Sequence, residues 1–111
     1  MSRIANYEIN SHIKKFQPFT NYNGTIVATM SDEGIYTIVH WRTPILDYNI
    51  HTHEIVFLKD QYISQTTSTL VGRILRSLPS NAVERYLGYY SPSPTKRRLL
   101  RMLNVRYAGT Y

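Results

Sequence analysis

The chain has 111 residues, 42% hydrophobic and 18% charged, with ten tyrosines, no cysteine and a formal net charge of +6. That length bounds one small domain with a real core, and that balance excludes the low-hydrophobicity, high-charge composition of disordered chains. Without cysteine there is no disulfide framework, thiolate zinc site or cysteine nucleophile, and intracellular residence is the simplest expectation. No basic segment followed by an apolar stretch opens the chain, and no run approaches the roughly 20 apolar residues of a membrane span. We therefore expect a soluble, unexported, cytoplasmic protein with no membrane partner.

In chain order, Ile9, Ile13 and Phe16 fall at i, i+4 and i+7, which predicts a short amphipathic helix ended by Pro18. Asn23-Gly24 supplies a turn before the β-branched run Thr25 to Met30. Ser31-Asp32-Glu33-Gly34 is a polar turn, and Ile35 to Trp41 pairs back across it as a hairpin, with Trp41 expected to anchor the core. Pro44 belongs at an edge, bulge or break; Ile45 to Tyr48 restart the strand, and Glu54 to Leu58 make a further one. Tyrosine's amphipathic ring suits such half-buried strand positions, although a contact surface is the alternative use of so many.

Around Thr66 the period changes to that of a helix. Leu70, Val71, Ile74 and Leu78 form its stripe, Thr66, Thr67 or Ser68 its cap, and Arg73 and Arg76 lie off the stripe. Asn81 opens a short helix stopped by Gly88, and Tyr89 to Pro94 is a proline-punctuated connector. Thr95 caps a last helix from Lys96 to about Asn104, with Leu99, Leu100, Met102 and Leu103 on its apolar side. Strands followed by helices predict a single α+β domain over residues 1–111. Residues 1–65 would form a short N-terminal helix and an antiparallel meander of three or four strands; residues 66–111 would form two or three arginine-rich helices.

Charge is the feature a function must explain. Residues 66–111 hold eight basic residues against one acid, Glu84, for about +7, while the remainder is near −1. Lys96, Arg97, Arg98, Arg101 and Arg106, with Arg73, Arg76 and Arg85, are the candidate surface for nucleic-acid phosphate or an acidic protein. On a helix Arg97, Arg98 and Arg101 converge, and no neighbouring acid offsets their repulsion. Tyr89, Tyr90 and Tyr107 are candidates for stacking on unpaired bases. The bland alternative is a solvated charged face.

His40, His51, His53 and Glu54 raise the question of zinc, but no fixed spacing supplies a third ligand, and turn histidines are commonly just polar. No nucleophile elbow, phosphate-binding glycine loop, dinucleotide fingerprint or paired carboxylate is present. We expect no catalytic residues, no metal, no cofactor and no small-molecule substrate.

Trp41-Arg42-Thr43-Pro44-Ile45, followed by Ser64-Gln65-Thr66-Thr67-Ser68 and then Arg73 and Leu75, resembles short bacteriophage accessory proteins. In those a Trp/His-Arg-Thr-Pro strand precedes a second strand and a Thr-Thr start to an arginine-bearing helix. The likeness spans about residues 35 to 78, and Asp60-Gln61-Tyr62-Ile63 stands where a glycine-tryptophan pair belongs. The resemblance implies a β-β-α unit and a viral origin, and carries no functional residue with it. Three functions are expected from these readings. The first is a non-catalytic basic module that contacts nucleic acid. The alternatives are a phage-encoded protein that inhibits a host defence or nucleic-acid-processing protein, and a virion or assembly component.

Overall fold

A computed structural model describes residues 3–59 and 64–88. Six strands form one sheet in sequence order: β1 (Arg3–Ile4), β2 (Phe19–Asn21), β3 (Ile26–Met30), β4 (Ile35–His40), β5 (Thr43–Asn49) and β6 (Glu54–Leu58). From β2 to β6 every pairing is antiparallel, while β1 runs parallel to β2. The α+β class is as expected. The sheet is larger than the three or four strands of the expected meander, and mixed rather than purely antiparallel. The two extra strands have two and three residues, too short to display alternation, and they pair because the chain between them folds back over the sheet as a helix.

That helix, α1 (Ile9–Lys14), follows a 3-10 turn at Asn6–Glu8 whose Glu8 carboxylate accepts the Ala5 amide at 2.8 Å. Its apolar spacing extends to Phe16, but the helix stops at Lys14. Phe16 takes φ 54°, Gln17 N–H bonds the His12 carbonyl at 2.9 Å and Phe16 N–H the Ile13 carbonyl at 3.0 Å, a Schellman closure. A left-handed Phe is costly; its ring is held by stacking on Tyr48 at 4.9 Å and an edge contact with Tyr36 at 5.6 Å.

Helix α2 (Gln65–Ser77) buries Leu70, Val71, Ile74, Leu75 and Leu78 just beyond it, the expected stripe. Its cap is Ser64, whose Oγ accepts the Thr67 amide at 3.2 Å, earlier than the threonines that were the expected caps. Helix α3 (Ser80–Gly88) buries Ala82, Val83 and Leu87. All three helices join one core with Phe19, Ala28, Tyr36, Ile38, Leu46, Tyr48 and Leu58, which share one sheet face across the cross-strand register. Pro44 faces Val39 at a register shift in β5, the bulge position its missing donor requires. The Tyr89–Pro94 connector and the helix expected from Lys96 lie outside the described residues.

Antiparallel order sends alternate turns to opposite ends of the sheet. The Trp41 amide bonds the Thr25 carbonyl at 2.9 Å, which joins the β2–β3 and β4–β5 turns at one end. The Ile50 amide bonds the Gly34 carbonyl at 3.0 Å, which joins the β3–β4 and β5–β6 turns at the other. Arg3, Arg42 and Lys59 sit at the first end, whereas at the second Asp32, Glu33 and Glu54 share the space with Arg85 and with Lys14 and Lys15 beside Phe16.

Candidate nucleic-acid interface

At the basic end, His40 and Thr43 pair across a two-residue turn. Its central residues, Trp41 and Arg42, have φ 51° and 65°, as in a type I′ turn. Such a turn suits asparagine and glycine; a tryptophan and an arginine there are strained. Trp41 is 69% exposed, so the expected core anchor is instead a projecting side chain. The physical reason is that the strand ends at His40, one residue before the tryptophan, and the turn lifts the indole off the sheet face.

Tyr22 projects from the neighbouring turn and is 76% exposed. Arg3 crosses that turn, donating from Nη1 to the Tyr22 carbonyl at 2.8 Å and lying against Gly24, whose φ of 74° suits glycine. Tyr7, from the 3-10 turn, is 84% exposed. Three exposed aromatics and the cations Arg3, Arg42 and Lys59 therefore occupy one end of the domain. None of these aromatics was among the expected stacking residues. Trp41-Arg42 lacks the glycine or asparagine that signals a turn, so its position was hidden.

Beside this rim lies a cleft of about 320 Å³ between the sheet end and α2. Ile26, His40 and Asn6 form one side; Gln65, Thr66, Thr69, Leu70 and Arg73 form the other. His40 is only 4% exposed, its Nδ1 lies 3.2 Å from Thr67 Oγ1, and Ser64 Oγ donates to the same Thr67 oxygen at 3.1 Å. With its oxygen accepting from Ser64, the Thr67 hydroxyl has its own proton to donate to Nδ1, the arrangement in which the ring proton sits on Nε2. Burial pushes the His40 pKa below its ordinary value, which favours this neutral ring.

Arg73 is bound through neutral oxygens: Nε donates to Asn10 Oδ1 at 2.8 Å, Nη1 to Asn6 Oδ1 at 2.9 Å and Nη2 to the Asn6 carbonyl at 2.7 Å. Burial, then the nearby charge of Arg76, lower its pKa, yet a guanidinium remains charged at physiological pH.

Of the eight basic residues expected to form the binding surface, three are described, and the structure separates two of them. Arg73 lines the cleft, whereas Arg85 donates from Nη2 to the His53 carbonyl at the opposite end of the sheet. Arg76 is exposed on α2. Lys96, Arg97, Arg98, Arg101 and Arg106, with Tyr89, Tyr90 and Tyr107, lie outside the described residues. The three histidines considered for a metal are apart: His40 bonds Thr67, His53 Nδ1 lies 3.2 Å from the Tyr48 hydroxyl, and His51 sits against Gly34. Residues 50–53 form a turn, with His53 at φ 57°. Among the described residues, no three metal-ligating side chains gather and no helix is long and apolar enough to cross a membrane. No family model, curated protein or solved structure matches the chain.

Proposed function

We propose that this protein is a non-catalytic module that binds single-stranded nucleic acid, with basic side chains on phosphates and exposed aromatics on unpaired bases. The observation that carries the reading is the coincidence of Trp41, Tyr22 and Tyr7 with Arg3, Arg42 and Lys59 at one end of the sheet. Cations interleaved with exposed rings are the surface single strands use, because every base offers a face to stack on and every phosphate a charge. The arginine-rich residues 96–106 extend the cationic character of the chain and support the same reading. Such contacts release counterions, so affinity falls steeply with salt.

Fluorescence anisotropy with single- and double-stranded DNA and RNA at about 50 and 200 mM salt tests this. The expected result is tighter, salt-sensitive binding to single strands. Trp41→Ala weakens it by about 5-fold or more, the loss of one stacked base. Arg97→Glu/Arg98→Glu/Arg101→Glu weakens single- and double-stranded binding alike. Absence of binding at low salt overturns the proposal and redirects the cations to an acidic protein, as in the inhibitor alternative.

A further inference from the structure

The cleft between α2 and the sheet end has the features of an anion pocket, and they are independent of the exposed rings outside it. Its wall carries the Arg73 guanidinium, half-buried and held among the described residues by uncharged oxygens of Asn6 and Asn10. Among the described residues no carboxylate lines it; nearby Glu8 turns its carboxylate onto the Ala5 amide. The first turn of α2 borders the same space. Ser64 takes the amides of Thr67 and Ser68, while those of Gln65 and Thr66 make no hydrogen bond among the described residues. His40, more than nine-tenths buried, lines the cleft, and its Nε2 makes no hydrogen bond among the described residues. Thr66 and Thr69 add exposed hydroxyls, and Ile26 and Leu70 an apolar floor.

We propose that this cleft binds a phosphomonoester, with Arg73, the α2 amides and His40 Nε2–H donating to its oxygens. Arginine, a helix N-terminus and a neutral imidazole N–H are all donors, and their partial or full positive charge selects a compact anion over a neutral ligand. A volume near 320 Å³ admits a nucleotide-sized group and not a folded partner. Two sources supply that chemistry: a free nucleoside monophosphate, and the terminal phosphate of a strand. The site does not depend on the strand-binding reading above.

The test is a titration of the full chain with inorganic phosphate and with a nucleoside 5′-monophosphate, followed by calorimetry and by amide NMR shifts. Saturable binding that moves the Gln65 and Thr66 amides is expected. Arg73 ties α2 to the N-terminal segment and its replacement risks unfolding, so the variant is Thr66→Glu. A carboxylate there suits the helix N-terminus and so keeps the melting temperature, but it occupies the anion position and weakens phosphate binding about 10-fold or more. Thr66→Gln, similar in size but uncharged, weakens binding less than Thr66→Glu. Lack of saturable phosphate binding, amide shifts elsewhere than α2, or unchanged affinity in folded Thr66→Glu each overturns the proposal. Oligonucleotides with and without a 5′-phosphate then separate the sources: a gain from the phosphate identifies the strand end, and equal affinity identifies the free nucleotide.

Discussion

Arg42→Gly should make the protein more stable and a poorer ligand for nucleic acid. Arg42 holds φ 65° in the β4–β5 turn, where an L side chain costs about 1–2 kcal/mol. Glycine removes that cost but gives the unfolded chain more freedom, a loss of about 0.5–1 kcal/mol. The Arg42 side chain is exposed and makes no hydrogen bond or ion pair among the described residues, so its removal forfeits little else. The net expectation is a gain of about 0.5–1 kcal/mol, a rise in melting temperature of about 2–5 °C. Circular-dichroism melts and urea midpoints read the stability. Anisotropy against a single strand reads the function, where one fewer phosphate contact flattens the salt dependence. Arg42→Lys is the control: it keeps both the strain and the charge, so both readouts should stay near wild type. A melting temperature at or below that of wild type would refute the claim that the turn is strained. Unchanged strand affinity in a stabilised variant would remove Arg42 from the interface.

Two further substitutions probe the rest of the frame. Gly34→Ala should destabilise by about 1 kcal/mol or more: φ is 85°, and the new Cβ would lie 2.5 Å from His51 Nε2. Since the exposed His51 ring can swing aside, Gly34→Ala/His51→Ala should recover little in a urea melt; full recovery would show that the clash, not the backbone, dominates. At His40, burial lowers the folded-state pKa below 6.5, so above that pH neither state takes up a proton there. As pH falls through and below 6.5, the unfolded chain binds a proton that the folded chain resists, and stability drops until the folded-state pKa is passed. The stability advantage of wild type over His40→Gln should therefore shrink between about pH 7 and 5, read from urea midpoints. A difference independent of pH would contradict a buried neutral ring.

Long periodic segments were legible because burial and period agree in them. Glu54 to Leu58 is a strand at the expected limits, and Leu70, Val71, Ile74 and Leu78 are all buried. The segments that failed are those where a neighbour rather than local pattern decides. Phe19–Asn21 is a strand only because β3 lies beside it, and Asn21 closes the turn between them with Oδ1 accepting the Ile26 amide at 2.9 Å. Trp41 was assigned to the core because large apolar side chains are usually buried, yet a register that pairs His40 with Thr43 leaves it in the turn. For the site, charge pattern identified Arg73 but not its surroundings. Its partner Asn6 is 67 residues away in sequence, and a contact at that separation leaves no periodic trace.

The cationic end of the sheet follows from the topology as much as from the composition. Residues 1–65 are nearly neutral as a sum, which by itself argues against attraction to a polyanion. Folding changes that at one end, because Arg3, Arg42 and Lys59 gather there, while Asp32, Glu33 and Glu54 fall in or beside turns at the other end together with Arg85, Lys14 and Lys15. A strand as long as the seven-residue β5 separates the ends by about 20 Å, at about 3.3 Å per residue. Screening reduces fields over about 8 Å at physiological ionic strength. A phosphate at the basic end is therefore within reach of the arginines and largely screened from the acids. The exposed rings stand where that attraction is strongest, and the cleft with Arg73 opens beside them. A near-neutral sheet can then present a cationic, aromatic end.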